Sequence, residues 1–315
     1  MKRTRDRHAW SKLLAWVQVA RLQFHPMAFL AYSLGAVAAV PHGTSLETGV
    51  FWLGYLTMFC IELGTVLVNE VYDRDTDRLN RNRSPFTGGS GILITGRLTV
   101  PAVRRGAGMC FGTAVLAALA TLLTSAVPHP AEVLAYLLVG LGLGIGYTMP
   151  PLRLSARGLG EATVGFTHSF YLIGYGYLLQ NGIPFDSEVI LLALPVFFSV
   201  LAAILLAGLP DLGADRRVRK KTLAVRFGPR ITAELAAGSS LMSLAAVLPL
   251  ALLGPLPISV IAWYVGCSGL HAMVLVAAIA GVIRRRAFNT RIDTVLQLAL
   301  SHILWTVLVP LAGLW

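Results

Sequence analysis

The chain has 315 residues, 56% of them hydrophobic and only 13% charged, with a mean hydropathy of +0.70. Those values exclude an ordinary soluble domain and a disordered chain, and leave a protein built to sit in a bilayer. The formal charge of +11 raises the question of a polyanionic partner, and its distribution along the chain decides it.

The amino terminus, "MKRTRDRHAWSK", is basic. No small-residue cleavage site follows the first apolar run, so the segment is expected to be retained rather than removed as a signal peptide. A hydrocarbon core about 30 Å thick needs about 20 apolar residues per helix. Runs of that kind lie near 22–41, 49–72, 106–127, 131–150, 160–181, 187–209, 231–253, 256–282 and 293–315, which predicts nine spans and one all-helical membrane domain over 1–315. If the amino terminus lies inside, the segments before span one and after spans two, four, six and eight face the cytoplasm. Their Lys and Arg number 6, 7, 2, 7 and 4, the whole complement of 26. The opposite loops, "PHGTSLET", "PHP", "NGIPFDSE" and "GPLP", contain none. The basicity is therefore positive-inside bias, not a nucleic-acid surface. That orientation puts the protein in a cell membrane with its basic face inward.

The second span ends in "VLVNEVYDRDTDRLNRNRSPFTGG". Asn69, Asp73 and Asp77 are spaced i, i+4, i+8, which stacks three oxygen-bearing side chains on one helical stripe. Asp75 points elsewhere, and Glu70 flanks the stripe. After the sixth span, "LLAGLPDLGADRRVRKKTLAVRFG" repeats the spacing with Asp211 and Asp215. Both clusters follow even-numbered spans, so both belong at the cytoplasmic mouth. Ionisable groups beside hydrocarbon are costly unless they function, and oxygen ligands of this kind suit Mg²⁺, two or more ions completed by water and phosphate. The cations nearby are Arg78, Arg81 and Arg83, Arg153 and Arg157, and Arg216, Arg217, Arg219, Lys220 and Lys221. Guanidinium groups beside metal-binding carboxylates make a receptor for diphosphate.

These motifs carry a resemblance. "NEVYDRDTD" and "DLGADRRVRKKTLAVRFG" resemble the two aspartate-rich motifs of the UbiA superfamily of membrane prenyltransferases, and the likeness runs over essentially the full length. The loop "YTMPPLRLSARGLGE" resembles the branch that prenylates 1,4-dihydroxy-2-naphthoate in menaquinone synthesis. Glu70 stands where many relatives have Asp. "RSPFTGGSGILITGRLT" departs from the Arg-Pro pattern of ubiquinone-type enzymes, which argues against a 4-hydroxybenzoate acceptor. The resemblance implies nine transmembrane helices around a central cavity, short cap helices over its cytoplasmic mouth, and Mg²⁺-dependent transfer of a prenyl group from an isoprenyl diphosphate to an aromatic acceptor. It assigns Asn69, Asp73, Asp77, Asp211 and Asp215 to Mg²⁺ and catalysis, and Arg83, Arg153 and Lys221 to the diphosphate. Tyr147 would steady a carbocation with its ring face, and Glu161 would orient an arginine or the acceptor.

A membrane terpene cyclase of the same superfamily would share this machinery. A transporter would instead pair ionisable residues near mid-membrane across inverted repeats, whereas these acids gather at one mouth. The Asp-Gly-Ala-Arg signature of CDP-alcohol phosphotransferases is absent from the sequence. Cys60, Cys110 and Cys267 fall inside spans without paired spacing and read as small apolar residues. Glu62 either faces the cavity or hydrogen-bonds within the bundle. His168, His271 and His302 stand alone and read as packing or capping residues. "LVGLGLGIG" reads as a close helix contact rather than a nucleotide loop, since no strand precedes it.

Overall fold

The computed structural model describes residues 2–40, 45–124, 127, 129–180, 182–183 and 186–315, with residues 2–9 described as backbone only. Residues 41–44 and 184–185, in two of the loops without Lys or Arg, lie outside the described set. In chain order the helices are α1 (Lys2–Ala20), α2 (His25–Ala38), α3 (Thr48–Tyr72), α4 (Arg74–Leu79), α5 (Val100–Leu122), α6 (Pro130–Thr148), α7 (Gly160–Phe166), α8 (Leu172–Leu179) and α9 (Ser187–Arg217). They continue with α10 (Leu223–Phe227), α11 (Pro229–Ala245), α12 (Val247–Leu253), α13 (Ile258–Tyr264), α14 (Leu270–Arg284) and α15 (Asp293–Leu314). One π-helical turn, Thr167–Tyr171, joins α7 to α8, and another, Val265–Gly269, joins α13 to α14.

The architecture is all-helical, as expected. Counting α11 with α12 and α13 with α14 as one run each, seven helical runs among the described residues are long and apolar enough to cross a membrane, and they correspond to seven of the nine expected spans. Of the two other expected spans, the first holds only 14 residues of α-helix (α2), and the second, running from α7 through the π turn into α8, carries Glu161, His168 and several Gly, Ser and Thr residues that lower its apolarity. Helix starts follow local chemistry. Thr99 accepts from the Ala102 amide ahead of Pro101, and Asp186 accepts from the Glu188 amide at 2.9 Å; both satisfy donors that a helix start leaves unpaired.

The core lies where α2, α3, α6, α8, α9 and α15 meet. Tyr32, Tyr136, Tyr171 and Tyr175 form an aromatic cluster there, and the Tyr32 and Tyr171 hydroxyls donate to the Phe51 and Tyr136 carbonyls at 2.8 and 2.7 Å. Without water, each hydroxyl needs a partner inside the bundle. Small residues let backbones touch. A Cβ on Gly35 would sit 1.8 Å from the Ile173 carbonyl oxygen, and one on Gly176 2.1 Å from the Tyr32 carbonyl oxygen, so α2 and α8 meet main chain to main chain. Two glycines of α6 instead make room for side chains of neighbouring elements, Gly140 for Tyr171 and Gly144 for Thr65, while Gly142 meets nothing within 4 Å. The three cysteines are free thiols.

This contact is testable. Gly35→Val should cost about 1–3 kcal/mol through overpacking, read as a lower Tm in detergent. Gly108→Ala, on α5 where an added Cβ meets nothing within 4 Å, should cause no loss.

Candidate active site

The site begins with the end of α3. Asp73 leaves helical geometry (φ −90°, ψ 1°), yet its amide still donates to the Asn69 carbonyl and the Asp77 amide donates to the Asp73 carbonyl, both at 2.8 Å. The predicted stripe therefore survives the break between α3 and α4. Asn69, Asp73 and Asp77 line one polar mouth together with Asp211 and Asp215 from the far end of α9. The two motifs, distant in sequence, do meet.

Lys220 joins them. Its ammonium lies 2.8 Å from an Asp73 oxygen and 3.9 Å from an Asp215 oxygen, bridging the motifs. Burial works against this charge, but the carboxylates of Asp73 and Asp215 overcome it and hold the Lys220 pKa above its ordinary value. Further polar contacts set the acids in place. Asn80 donates to Asp211, Thr222 donates to Asp215 at 3.3 Å, and Thr148 donates to the Asn69 side-chain oxygen at 3.1 Å. Asp77 packs against the main chain of Gly89, whose φ is +67° and where a Cβ would stand 2.0 Å from Asp77 Oδ2. Only glycine tolerates both demands.

The mouth carries more acid than it neutralises. Asp73, Asp77, Glu161, Asp211 and Asp215 line it against two cations, Arg21 and Lys220. Asp77 shows the strain: burial first, then the charges of Asp73, Glu70 and Asp211, push its pKa up to about 8. Two further oxygens, Thr87 Oγ1 and Glu161 Oε2, are buried without a hydrogen-bond partner. An oxygen-rich, cation-poor pocket of this kind fits a hard divalent ion. Among the described residues no three His, Cys, Asp or Glu side chains converge closely enough to cage an ion alone, so any ion there would complete its shell with water or substrate oxygens.

Below the mouth, and sharing Arg21, Asn69, Phe86, Tyr147, Ile204 and Ala207 with it, opens an apolar cavity of about 330 Å³. Tyr147 thus stands at the junction. Glu161 lines the mouth, and its other oxygen accepts from the Leu223 amide at 2.8 Å, tying α7 to α10.

Several expected contacts lie elsewhere. Lys221 is exposed, with its amide bonded to the Ala156 carbonyl, and the preceding Lys220 enters the site instead. The reason is backbone geometry: Arg219 adopts φ 58°, and the turn it makes directs the next residue inward. Arg83 does not line the mouth. It donates to the Gly88 and Asp77 carbonyls at 3.0 and 2.7 Å and so braces the glycine loop. Arg153 is exposed at a left-handed turn. Glu70 turns from the acids to accept from the Ser90 amide and hydroxyl, fastening the same loop. Arg21 was not anticipated; it sits past the end of α1, donates to the Phe86 carbonyl at 3.0 Å and lines both mouth and cavity. Its only mark in the sequence was being the last cation before the first apolar run.

The model of the UbiA prenyltransferase family matches residues 28–307, and the chain belongs to that family. Among curated proteins it is similar to a probable homogentisate phytyltransferase 2 of Oryza sativa subsp. japonica, 25% identical over 73% of this chain and 61% of the relative. A digeranylgeranylglyceryl phosphate synthase of Sulfolobus acidocaldarius is 24% identical over 59% of this chain and 60% of the relative. The alignments thus span about three fifths of each relative's length. Among solved structures, a UbiA homolog from Archaeoglobus fulgidus bound to DMAPP and Mg²⁺ shares the fold, with a TM-score of 0.61 at 16% identity over 93% of this chain and 98% of that one. A digeranylgeranylglyceryl phosphate synthase structure has a TM-score of 0.61 at 13% identity, over 96% and 98% of the two chains.

The bridging lysine gives a sharp contrast. Lys220→Ala should weaken Mg²⁺-dependent binding of an isoprenyl diphosphate by about tenfold or more, since bonds to charged groups are worth about 1.5–3 kcal/mol. Lys221→Ala should stay within about fivefold, as exposed charges contribute under about 1 kcal/mol. Gly89→Ala, by displacing Asp77, should lower turnover about 100-fold. Calorimetry with a non-ionisable thiolodiphosphate, beside a turnover assay, reads all three.

Proposed function

We propose that this chain transfers a prenyl group from an allylic isoprenyl diphosphate to an aromatic acceptor, 1,4-dihydroxy-2-naphthoate or a related quinone precursor of menaquinone-type biosynthesis. The observation that carries the reading is the meeting of the α3 and α9 acids over Lys220 at the mouth of an apolar cavity. The distribution of Lys and Arg supports placing that mouth at the cytoplasmic face of a cell membrane.

In this reading Asn69, Asp73, Asp77, Asp211 and Asp215 hold Mg²⁺, which when bound supplies the positive charge that lets a diphosphate leave. Lys220 and Arg21 take the remaining diphosphate oxygens; Arg83 holds the loop under Asp77. Preorganised charge at the place where the leaving group's charge develops costs little reorganisation during reaction. The allylic cation left behind would be quenched by water. Phe86, Ile204 and Ala207 wall the passage below the mouth, and the Tyr147 ring face offers the cation a stabilising partner there. The isoprenoid tail runs into the apolar cavity or out between helices.

The test is mass spectrometry of products made by purified protein from geranylgeranyl diphosphate and Mg²⁺, with and without 1,4-dihydroxy-2-naphthoate. A prenylated aromatic that forms only when acceptor is present is the expected result. A cyclised hydrocarbon formed without acceptor would overturn the reading in favour of a terpene cyclase. Asp73→Ala and Asp211→Ala should each lower transfer by at least about 100-fold; Asp211→Ala should leave the Tm close to that of the unaltered protein, whereas Asp73→Ala should lower it by stranding Lys220.

A further inference from the structure

Deep in the apolar cavity three ionisable side chains from separate elements face one another. Glu62 of α3 lies between His25, the first residue of α2, and His168, in the π turn between α7 and α8. Glu62 and His168 line the cavity wall, whereas His25 is 4% exposed behind them. Ionisable groups in a membrane interior are expensive and persist where they act, and an isoprenoid tail needs none of them. A π turn, too, is a device that recurs at functional positions.

The hydrogen-bond pattern assigns the protons. His25 Nε2 lies 3.1 Å from the Ala20 carbonyl and Nδ1 3.0 Å from a Glu62 oxygen. Nδ1 and that Glu62 oxygen stand at ion-pair distance without an aligned hydrogen bond between them. His168 Nδ1 lies 3.1 Å from the Val164 carbonyl and 3.2 Å from Thr167 Oγ1, whose own hydrogen goes to the Thr163 carbonyl. Nδ1 therefore carries the hydrogen, and in the neutral ring Nε2 offers a lone pair. That lone pair is 3.7 Å from the other Glu62 oxygen, beyond hydrogen-bond range. The ring is oriented by a backbone carbonyl on its far side, and the carboxylate stands on the reactive side, where it would pair with the imidazolium once Nε2 takes a proton.

We propose that His168 is the general base that takes the hydroxyl proton of a hydroxylated aromatic acceptor bound in this cavity, with Glu62 and His25 as positioning residues. This rests on the prenyl-transfer reading above. Glu62 is seven residues from Asn69, two turns of α3 and about 10 Å. An aromatic acceptor with its hydroxyl on His168 and the ortho or para carbon that this hydroxyl activates turned toward the mouth fits that gap once the hydrogen bond of about 2.8 Å and an approach to C1 of about 3–3.5 Å are added. The bookkeeping balances. The C1–O bond of the donor breaks and its electron pair leaves on diphosphate. The acceptor carbon bonds to C1 using the pair released as its O–H ionises, and that proton goes to His168 Nε2. The displaced ring proton then moves to the oxygen to restore aromaticity, so one proton leaves overall. His168 returns it to water at the mouth.

The experiment compares unaltered protein with His168→Ala and Glu62→Gln, using geranylgeranyl diphosphate and a series of naphthols whose hydroxyls differ in acidity. Tm and binding of the thiolodiphosphate analogue are measured alongside. General-base catalysis is worth about 10²–10⁴-fold, so His168→Ala should lose at least about 100-fold in kcat with analogue binding and Tm kept. That deficit should shrink as the acceptor hydroxyl becomes more acidic, because an acceptor already ionised needs no base. Glu62→Gln should show the same trend with a smaller loss. Transfer by His168→Ala at the rate of the unaltered protein, a deficit that ignores acceptor acidity, or loss of analogue binding in both variants would overturn the proposal. Failure of the prenyl-transfer reading is seen separately, as unaltered protein that prenylates none of the naphthols, and that result would overturn both.

Discussion

Negative charge brought to the edge of hydrocarbon must find positive charge, and the arrangement of this protein follows from how that is done. Asp73 and Asp215 belong to helices far apart in the chain, and Lys220 sits between their carboxylates. In a medium of low dielectric this contact is costly to leave half made. It therefore fixes the ends of α3 and α9 against each other. The loop carrying Gly88 and Gly89 is drawn in beneath them, held by Glu70 on one side and Arg83 on the other. Lys220 and Arg21 together do not balance five carboxylates, and the remaining deficit leaves the mouth ready for divalent ions and a polyanionic ligand.

The apolar cavity answers a second constraint. Its boundary with the mouth is drawn by residues shared between the two, Tyr147 and Asn69 among them. A diphosphate held above and a hydrocarbon tail below would place the bond between them at that boundary. The close approach of α2 and α8 through Gly35 and Gly176 closes the bundle around the space, and the tyrosine cluster makes that wall rigid by giving Tyr32 and Tyr171 carbonyl partners.

What the sequence made legible was whatever lay within a few residues. The i, i+4 spacing of Asn69, Asp73 and Asp77, and of Asp211 and Asp215, survives in the structure because a helical hydrogen-bond pattern carries each pair. Charge asymmetry placed both groups on one side without knowledge of packing. Contacts made across helices left no such trace. Lys220 and Lys221 are indistinguishable as letters, and a left-handed Arg219 decides between them. Glu70 could be read only as a flank of the acid stripe because Ser90, its partner, lies twenty residues on. His168 looked solitary because Glu62, which stands beside it, belongs to another helix. Two of the nine expected spans do not meet the same measure of length and apolarity, because α2 is only 14 residues long and the run from α7 to α8 carries Glu161 and His168.

The central claim is that the two acid-bearing helix ends act as one receptor for a single ligand. A double-mutant cycle on Mg²⁺-dependent binding of the thiolodiphosphate analogue, using Asp73→Asn and Asp215→Asn, measures this most directly. Groups that act together show coupling of about 0.5–3 kcal/mol, whereas independent ones add. A double variant that binds no more weakly than the worse single variant is what this account predicts. Losses that simply add would contradict it.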